Sequence, residues 1–114
     1  MRIKAGIWVS AYVRRVNGLA VPAMITRRGD GDAGAIFIKL NTLDGFAQVL
    51  RPAATGIDEA AEERFWNPAF KEPRPEPDVD GWLQRQREFD ADLWIIEIED
   101  KTGRHFLDDY VLSS

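Results

Sequence analysis

Three prolines, Pro73, Pro75 and Pro77, fall within five positions of the stretch KEPRPEPDVD. Each proline ring removes an amide donor and fixes φ, so these positions can join neither a helix interior nor a central strand. The stretch therefore divides the chain. Ahead of it lie one helical signal and a β-rich block. Behind it lie one helical signal and one strong strand, too little to bury a core alone. The second part must return and pack on the first. We read residues 1–114 as a single domain and 71–78 as an extended, Pro-rich internal connector.

The composition can supply the core this requires. Of 114 residues 45% are apolar, with four Trp and six Phe, the balance of an ordinary soluble globular protein. Cysteine is absent, which removes disulfides and thiolate metal sites and suits a reducing cytoplasm, the expected location. A net charge of −4 repels phosphate backbones on average, so no nucleic-acid role is expected. No window approaches the roughly 18 consecutive apolar residues of a membrane span. The start, MRIKAGIWVSAYVRR, has a short, mixed apolar run ending in an arginine pair with no cleavage pattern, so it reads as mature protein and not as a leader.

Residues 3–17 carry two patterns. Ile3, Ala5, Ile7, Val9, Ala11 and Val13 alternate as in a strand, whereas Ala5, Trp8, Val9, Tyr12, Val13 and Val16 follow helical steps. Fifteen residues is long for a strand, and Asn17-Gly18 offers a stop, so the spacing predicts a helix. AVPAMITRR, AIFIKLN and GFAQVLRPA read as strands. PAATGIDEAAE, 52–62, reads as a loop or short helical turn, and ERFWNPAF as a further strand that Pro68 places at an edge. Asp78 is the expected N-cap of a helix over 78–89, with Val79, Trp82, Leu83 and Phe89 on its core face. DLWIIEIED is the clearest strand, and TGRHFLDDYVL a turn with a short terminal element. The expected architecture is α+β: an antiparallel sheet of four to five strands in the order α-β-β-β-(β)-α-β, with both helices packed on one face.

Three motifs in this order, RRGDGDAGAIFIKLN, FDADLWIIEIED and GRHFLDD, carry a further signal. Together they resemble the family called domain of unknown function 1491, small uncharacterised proteins found mainly in alphaproteobacteria. The similarity runs nearly end to end, from IWVSAYVRRVN to GRHFL. It implies a stand-alone single domain and brings no activity, substrate or catalytic residue with it.

Several constellations could carry chemistry. The loop GDGDAG, Gly29–Gly34, has three readings. Asp30 and Asp32 could begin a cation site, but further oxygen ligands are missing. RGDGDA fits the Arg-x-x-Gly-x-Ala pattern of acyl-CoA-binding acetyltransferases, but a strand follows it where a helix N-terminus should hold the pyrophosphate. The favoured reading is a hairpin turn between the first two strands. Glu97 and Glu99 share one strand face and could act as acid and base, or simply face solvent. His105 is the only histidine, which excludes a multi-His metal site within the chain. Neither a metal nor another cofactor is expected. Arg14, Arg15, Arg27 and Arg28 could join Arg2 and Lys4 in a cationic patch suited to an acidic partner, or be ordinary solvated charge. Trp8, Trp82 and Trp94 belong to the expected core, whereas Trp66, beside Asn67-Pro68, is the tryptophan expected at the surface.

Two functions follow. The first is a non-catalytic interaction or accessory domain, with a protein partner or a homodimer formed through an edge strand or the Trp66 region. The second is a small enzyme using Glu97 and Glu99 with His105 or Arg28.

Overall fold

The unbroken apolar run LWII at the start of DLWIIEIED buries the first half of this strand on both faces, which sets its place in the sheet. A computed structural model describes residues 3–54 and 63–112. Its elements are α1 (Ala5–Gly18), β1 (Ala23–Arg27), β2 (Ile36–Asn41), β3 (Phe46–Pro52), β4 (Trp66–Pro68), β5 (Arg74–Pro75), α2 (Glu76–Phe89) and β6 (Trp94–Glu99), with a 3-10 turn at Asp108–Tyr110. The expected loop or helical turn at 52–62 lies, from residue 55 onward, outside the described residues.

The strands form one sheet in the order β1-β6-β2-β3-β4, with β5 paired to β3. β2 and β6 run parallel, in register from Ile36 against Trp94 to Asn41 against Glu99, and the other pairings are antiparallel. The α+β class stands, but the sheet is mixed and six-stranded, not an antiparallel sheet of four or five strands in chain order. The last strand enters between the first two. A parallel neighbour needs a long crossover, and the chain from β3 through α2 provides it.

The helices also depart from expectation, because they lie on opposite faces. Ala5, Val9, Tyr12 and Val16 of α1 pack with Ile36, Ile38, Trp94, Ile96 and Ile98. Val79 and Leu83 of α2 pack with Phe37, Val49, Leu93 and Ile95. β2 explains this: its first five residues are all buried, so each of its faces needs a cover. Phe89, expected on the core face, is the last residue of α2 and is 89% exposed. α2 starts two residues ahead of the expected cap, with Pro75 at the N-cap and Asp78 inside the first turn. Part of the Pro-rich connector is thereby used: Arg74 and Pro75 pair with Ala47 and Phe46.

GDGDAG is not a hairpin turn. Its two strands are separated by β6, and the loop crosses the entry of that strand. The Asp30 amide donates to the Asp92 carbonyl at 2.9 Å, and the Trp94 indole donates to the Asp30 carbonyl at 2.8 Å. The loop also caps α1. The amides of Ala5 and Gly6 donate to the carbonyls of Asp32 and Gly31, at 3.3 and 2.9 Å, satisfying donors that a helix N-terminus leaves open. Asp30 does form the expected Asx turn, its Oδ2 accepting from the amides of Asp32 and Ala33. The glycines are needed for closeness and not for positive φ. A Cβ on Gly29 or Gly34 would collide with the Asp92 carbonyl oxygen, whereas one on Gly31 would meet nothing. The left-handed residues lie elsewhere, at Ala20, Leu43, Phe106, Gly45 and Gly103.

Each outer edge of the sheet is capped at one residue. The Asn17 side chain accepts from the Ala23 amide at 2.9 Å and donates to the Ala23 carbonyl at 3.0 Å, standing in for a neighbouring strand. A register shift between Ile25 and Arg27 interrupts the rest of β1. At β4, Val111 bridges to Trp66 and the Leu112 amide donates to the Trp66 carbonyl.

Gly34→Ala is expected to destabilise the fold by about 1–3 kcal/mol through overpacking against Asp92. Gly31→Ala should stay within about 0.5 kcal/mol. Urea denaturation of the two variants checks the contrast, and equal losses would contradict the close-approach account.

Candidate functional site

The residues capable of chemistry divide between the two faces of the sheet. On the α2 face the centre is Lys39, in the middle of β2 and 4% exposed. Its ammonium lies 2.8 Å from Asp80, 2.9 Å from Glu76 and 3.4 Å from Glu97. β2 and β6 place Lys39 opposite Glu97, and the first two turns of α2 lower Glu76 and Asp80 onto it. Asn41 donates to Glu76 at 2.8 Å and to Glu97 at 3.3 Å. Burial acts to lower the Lys39 pKa, but the hydrogen bonds to Asp80 and Glu76 and the charge of Glu97 outweigh it and raise the pKa. Lys39 is thus a held cation and not a nucleophile, and Glu97 is its counter-ion and not an unpaired acid or base. Of this network only Glu97 was among the residues expected to act. The network's signal was a lysine inside an apolar strand, which demands carboxylate partners.

His105 belongs to the other face. Its carbonyl accepts from the Tyr12 hydroxyl of α1 at 2.7 Å. Its Nδ1 accepts from the Leu107 amide at 3.1 Å, and Nε2 lies 3.8 Å from Asp108. Burial holds the imidazole pKa below its ordinary value, against the opposing pull of Asp108. The sheet therefore stands between Glu97 and His105. Glu99 and Asp100 border a shallow depression of about 490 Å3 outside the carboxyl ends of the parallel pair. Asp100 is tied into the turn by Thr102 and by the guanidinium and amide of Arg104. Those hydrogen bonds, led by Arg104, hold its carboxyl well below the usual range.

The arginine pairs do not meet. Arg27 is fastened to the carbonyls of Arg28, Leu93 and Ala91, and Arg28 lies over the Trp94 ring. Both sit by the loop that caps the start of α1. Arg14 lies eight residues beyond Gly6, about 12 Å along the helix axis. Asp32 pairs loosely with Lys4 at 3.5 Å. Trp66 is not at the surface: it is 2% exposed, its indole donates to the Ile36 carbonyl at 2.9 Å, and its ring packs on Trp8 at 5.0 Å. The short edge strand turns it inward beneath α1.

On the α1 face a cleft of about 500 Å3 is lined, among the described residues, by Trp8, Tyr12, Arg15, Glu63, Leu107, Tyr110 and others. Among the described residues no group of three or more His, Asp or Glu side chains is placed to hold a metal ion. No described helix is long and apolar enough to cross a membrane.

A family model described as "Protein of unknown function (DUF1491)" matches residues 3–108. The chain belongs to the DUF1491 family. A crystal structure of a DUF1491 family protein from Caulobacter crescentus CB15 is 36% identical, with a TM-score of 0.81, over 99% of this chain and 100% of that one. An NMR structure of a DUF1491 family protein from the same organism is 37% identical, with a TM-score of 0.80, over 99% of each chain. A solution structure of a protein from A. tumefaciens is 34% identical, with a TM-score of 0.75, over 87% of this chain and 86% of that one. No curated protein matches the chain. The DUF1491 match takes in nearly all of the three motifs that carried the resemblance in the sequence, and the relatives are bacterial. Membership brings the fold and no reaction.

Lys39→Met should destabilise this DUF1491 protein by about 2–4 kcal/mol, since it leaves Glu76 and Glu97 without their cation. The lower end is expected because Asp80 is more than half exposed. The pH dependence has a definite sign. Lys39 has a raised folded pKa, so its contribution is complete below the ordinary lysine value and is lost as pH rises through the folded one. Burial likewise raises the Tyr12 phenol, which loses stability in the same alkaline direction. Denaturation across the alkaline range, with Tyr12→Phe as the background, should show a decline that Lys39→Met flattens. An unchanged slope would remove Lys39 from the account.

Proposed function

We propose that this DUF1491 protein is a non-catalytic interaction or accessory domain of the cytoplasm, acting through a protein partner. The observation that carries this reading is the division of its chemical groups by the sheet. Glu97 is taken by Lys39 and Asn41 on the α2 face. His105 is turned into its own loop on the α1 side, and Arg28 is stacked on Trp94. An acid–base pair needs its members within hydrogen-bond reach of one reacting atom, and a layer of buried strands separates these. The enzyme reading built on Glu97 and Glu99 with His105 or Arg28 thereby loses its shared site. The net charge of −4 favours a protein partner over nucleic acid.

The test is to isolate the chain from its own cells without denaturation and size it by chromatography with light scattering. A defined complex with a second protein is expected, and Glu99→Gln and His105→Asn should leave it unchanged. A chain that runs alone, and consumes a metabolite from cell extract in a manner abolished by Glu99→Gln or His105→Asn, would overturn the proposal.

A further inference from the structure

Residues 105–112 make a strap that is fastened at two places. On the α1 face, the His105 carbonyl accepts from the Tyr12 hydroxyl at 2.7 Å, and Phe106 and Leu107 pack into the core. At the sheet edge, Val111 bridges to Trp66 and the Leu112 amide donates to the Trp66 carbonyl at 2.8 Å. The Asn67 side chain donates to the Leu112 carbonyl at 3.1 Å.

One titratable side chain shapes the strap. Leu107 is buried, so its amide needs an acceptor, and Nδ1 of His105 supplies it at 3.1 Å. Phe106, the residue enclosed by this bond, has a φ of 60°, a left-handed conformation that is costly for a bulky side chain. The bond closes the turn around Phe106 as an Asx turn does. An imidazole accepts at Nδ1 only while it is neutral, with its proton on Nε2, because the imidazolium carries a proton on both nitrogens. A second proton therefore turns the acceptor into a donor aimed at another donor. It leaves a buried amide unpaired and Phe106 without the bond that closes its turn.

The surrounding charges do not compensate. Asp108 lies 3.8 Å from Nε2, but its side chain is 93% exposed, where an ion pair is weak. Asp109 beside it is also exposed. From α1 come the Tyr12 hydroxyl, which is uncharged and donating, and Arg15, a cation near that hydroxyl. In the turn ahead of the strap, Arg104 is paired with Asp100. Burial outweighs the pull of Asp108, and the imidazole pKa lies below its ordinary value.

We propose that His105 is a pH-sensitive latch: protonation of its Nδ1 releases the strap 105–112 from α1 and from the edge of β4. The proposal goes beyond the interaction-domain reading and stands whether or not a partner binds. Its sign follows from linkage. In the open strap the imidazole returns to its ordinary value of about 6.5, and in the closed strap it takes a proton less readily. Closure is complete above the ordinary value and is lost as pH falls through the closed one. Exposed carboxylates titrate near about pH 4, so release precedes general acid denaturation. It uncovers the Trp66 backbone as an unpaired strand edge.

The test follows amide hydrogen exchange of the full chain by NMR from about pH 7.5 to 5, each rate normalised to its intrinsic value, beside titration of the His105 ring proton. Protection at Leu107 and Leu112 should fall severalfold as the ring titrates, while Ile96 in β6 stays protected. His105→Asn keeps an acceptor that does not titrate, so its strap should stay closed and lose the pH dependence. His105→Leu removes the acceptor and should show the low protection already at neutral pH. Full protection at Leu107 in His105→Leu would overturn the proposal, as would protection that holds in the parent while the imidazole titrates. An imidazole titrating above its ordinary value, or the same pH dependence in His105→Asn, would do so too. Equal loss at Ile96 would mark loosening of the whole fold and would also defeat it.

Discussion

β6 occupies the gap between β1 and β2, two strands that follow each other in the chain, and most of the structure depends on that insertion. The loop joining β1 to β2 has to pass over the entry of β6. This is why Gly29 and Gly34 meet the Asp92 carbonyl with no space for a side chain. The same loop turns two carbonyls toward the open amides of α1 and one toward the Trp94 indole. One crossing thus fixes the start of α1, the entry of β6 and the separation of β1 from β2. With β6 in the middle, both faces of the sheet are apolar at their centre, and each takes one helix.

Local pattern was enough to find most elements. The helical stripe of α1 and the apolar run of β6 were legible, as were the strand character of β2 and β3 and the edge position of Pro68. Each depends on neighbours within a turn or a few strand residues. Pairing was not legible, since nothing in RRGDGDAG distinguishes a turn between adjacent strands from a bridge over a third. Short connections favour the adjacent choice, and that preference produced the expected hairpin and, with it, both helices on one face. Trp66 was misplaced for a similar reason. Its Asn-Pro neighbours locate the strand at the edge, but they do not reveal that the edge turns its indole beneath α1.

The candidate site divides in the same way. Glu97 was singled out from its strand periodicity, but the two carboxylates that share Lys39 with it, Glu76 and Asp80, lie in and just beyond a proline-rich stretch that reads as a connector. Only the return of α2 over β2 brings them to Lys39. A lysine in IFIKLN was the available clue, because an ammonium in that position must be neutralised by something distant in sequence. The outer side of α1 was visible under another description. Ile3, Ile7 and Ala11 belonged to the alternating pattern that competed with the helix. Once the helix forms, Ile7 and Ala11 are left exposed on it, and Ile3 stands exposed just ahead of its first turn.

The insertion of β6 also sets an order for synthesis. β1 and β2 leave the ribosome long before Trp94–Glu99, and until that strand arrives each has an unpaired inner edge and an apolar face. α1 cannot close its side of the core without Trp94, Ile96 and Ile98. The sheet therefore cannot be completed progressively from the N-terminus, and its assembly is dominated by contacts distant in sequence, a topology that folds slowly. A ribosome that stalls within α2 would hold out two sticky half-sheets, so this protein should rely on chaperones at the nascent chain far more than its small size suggests.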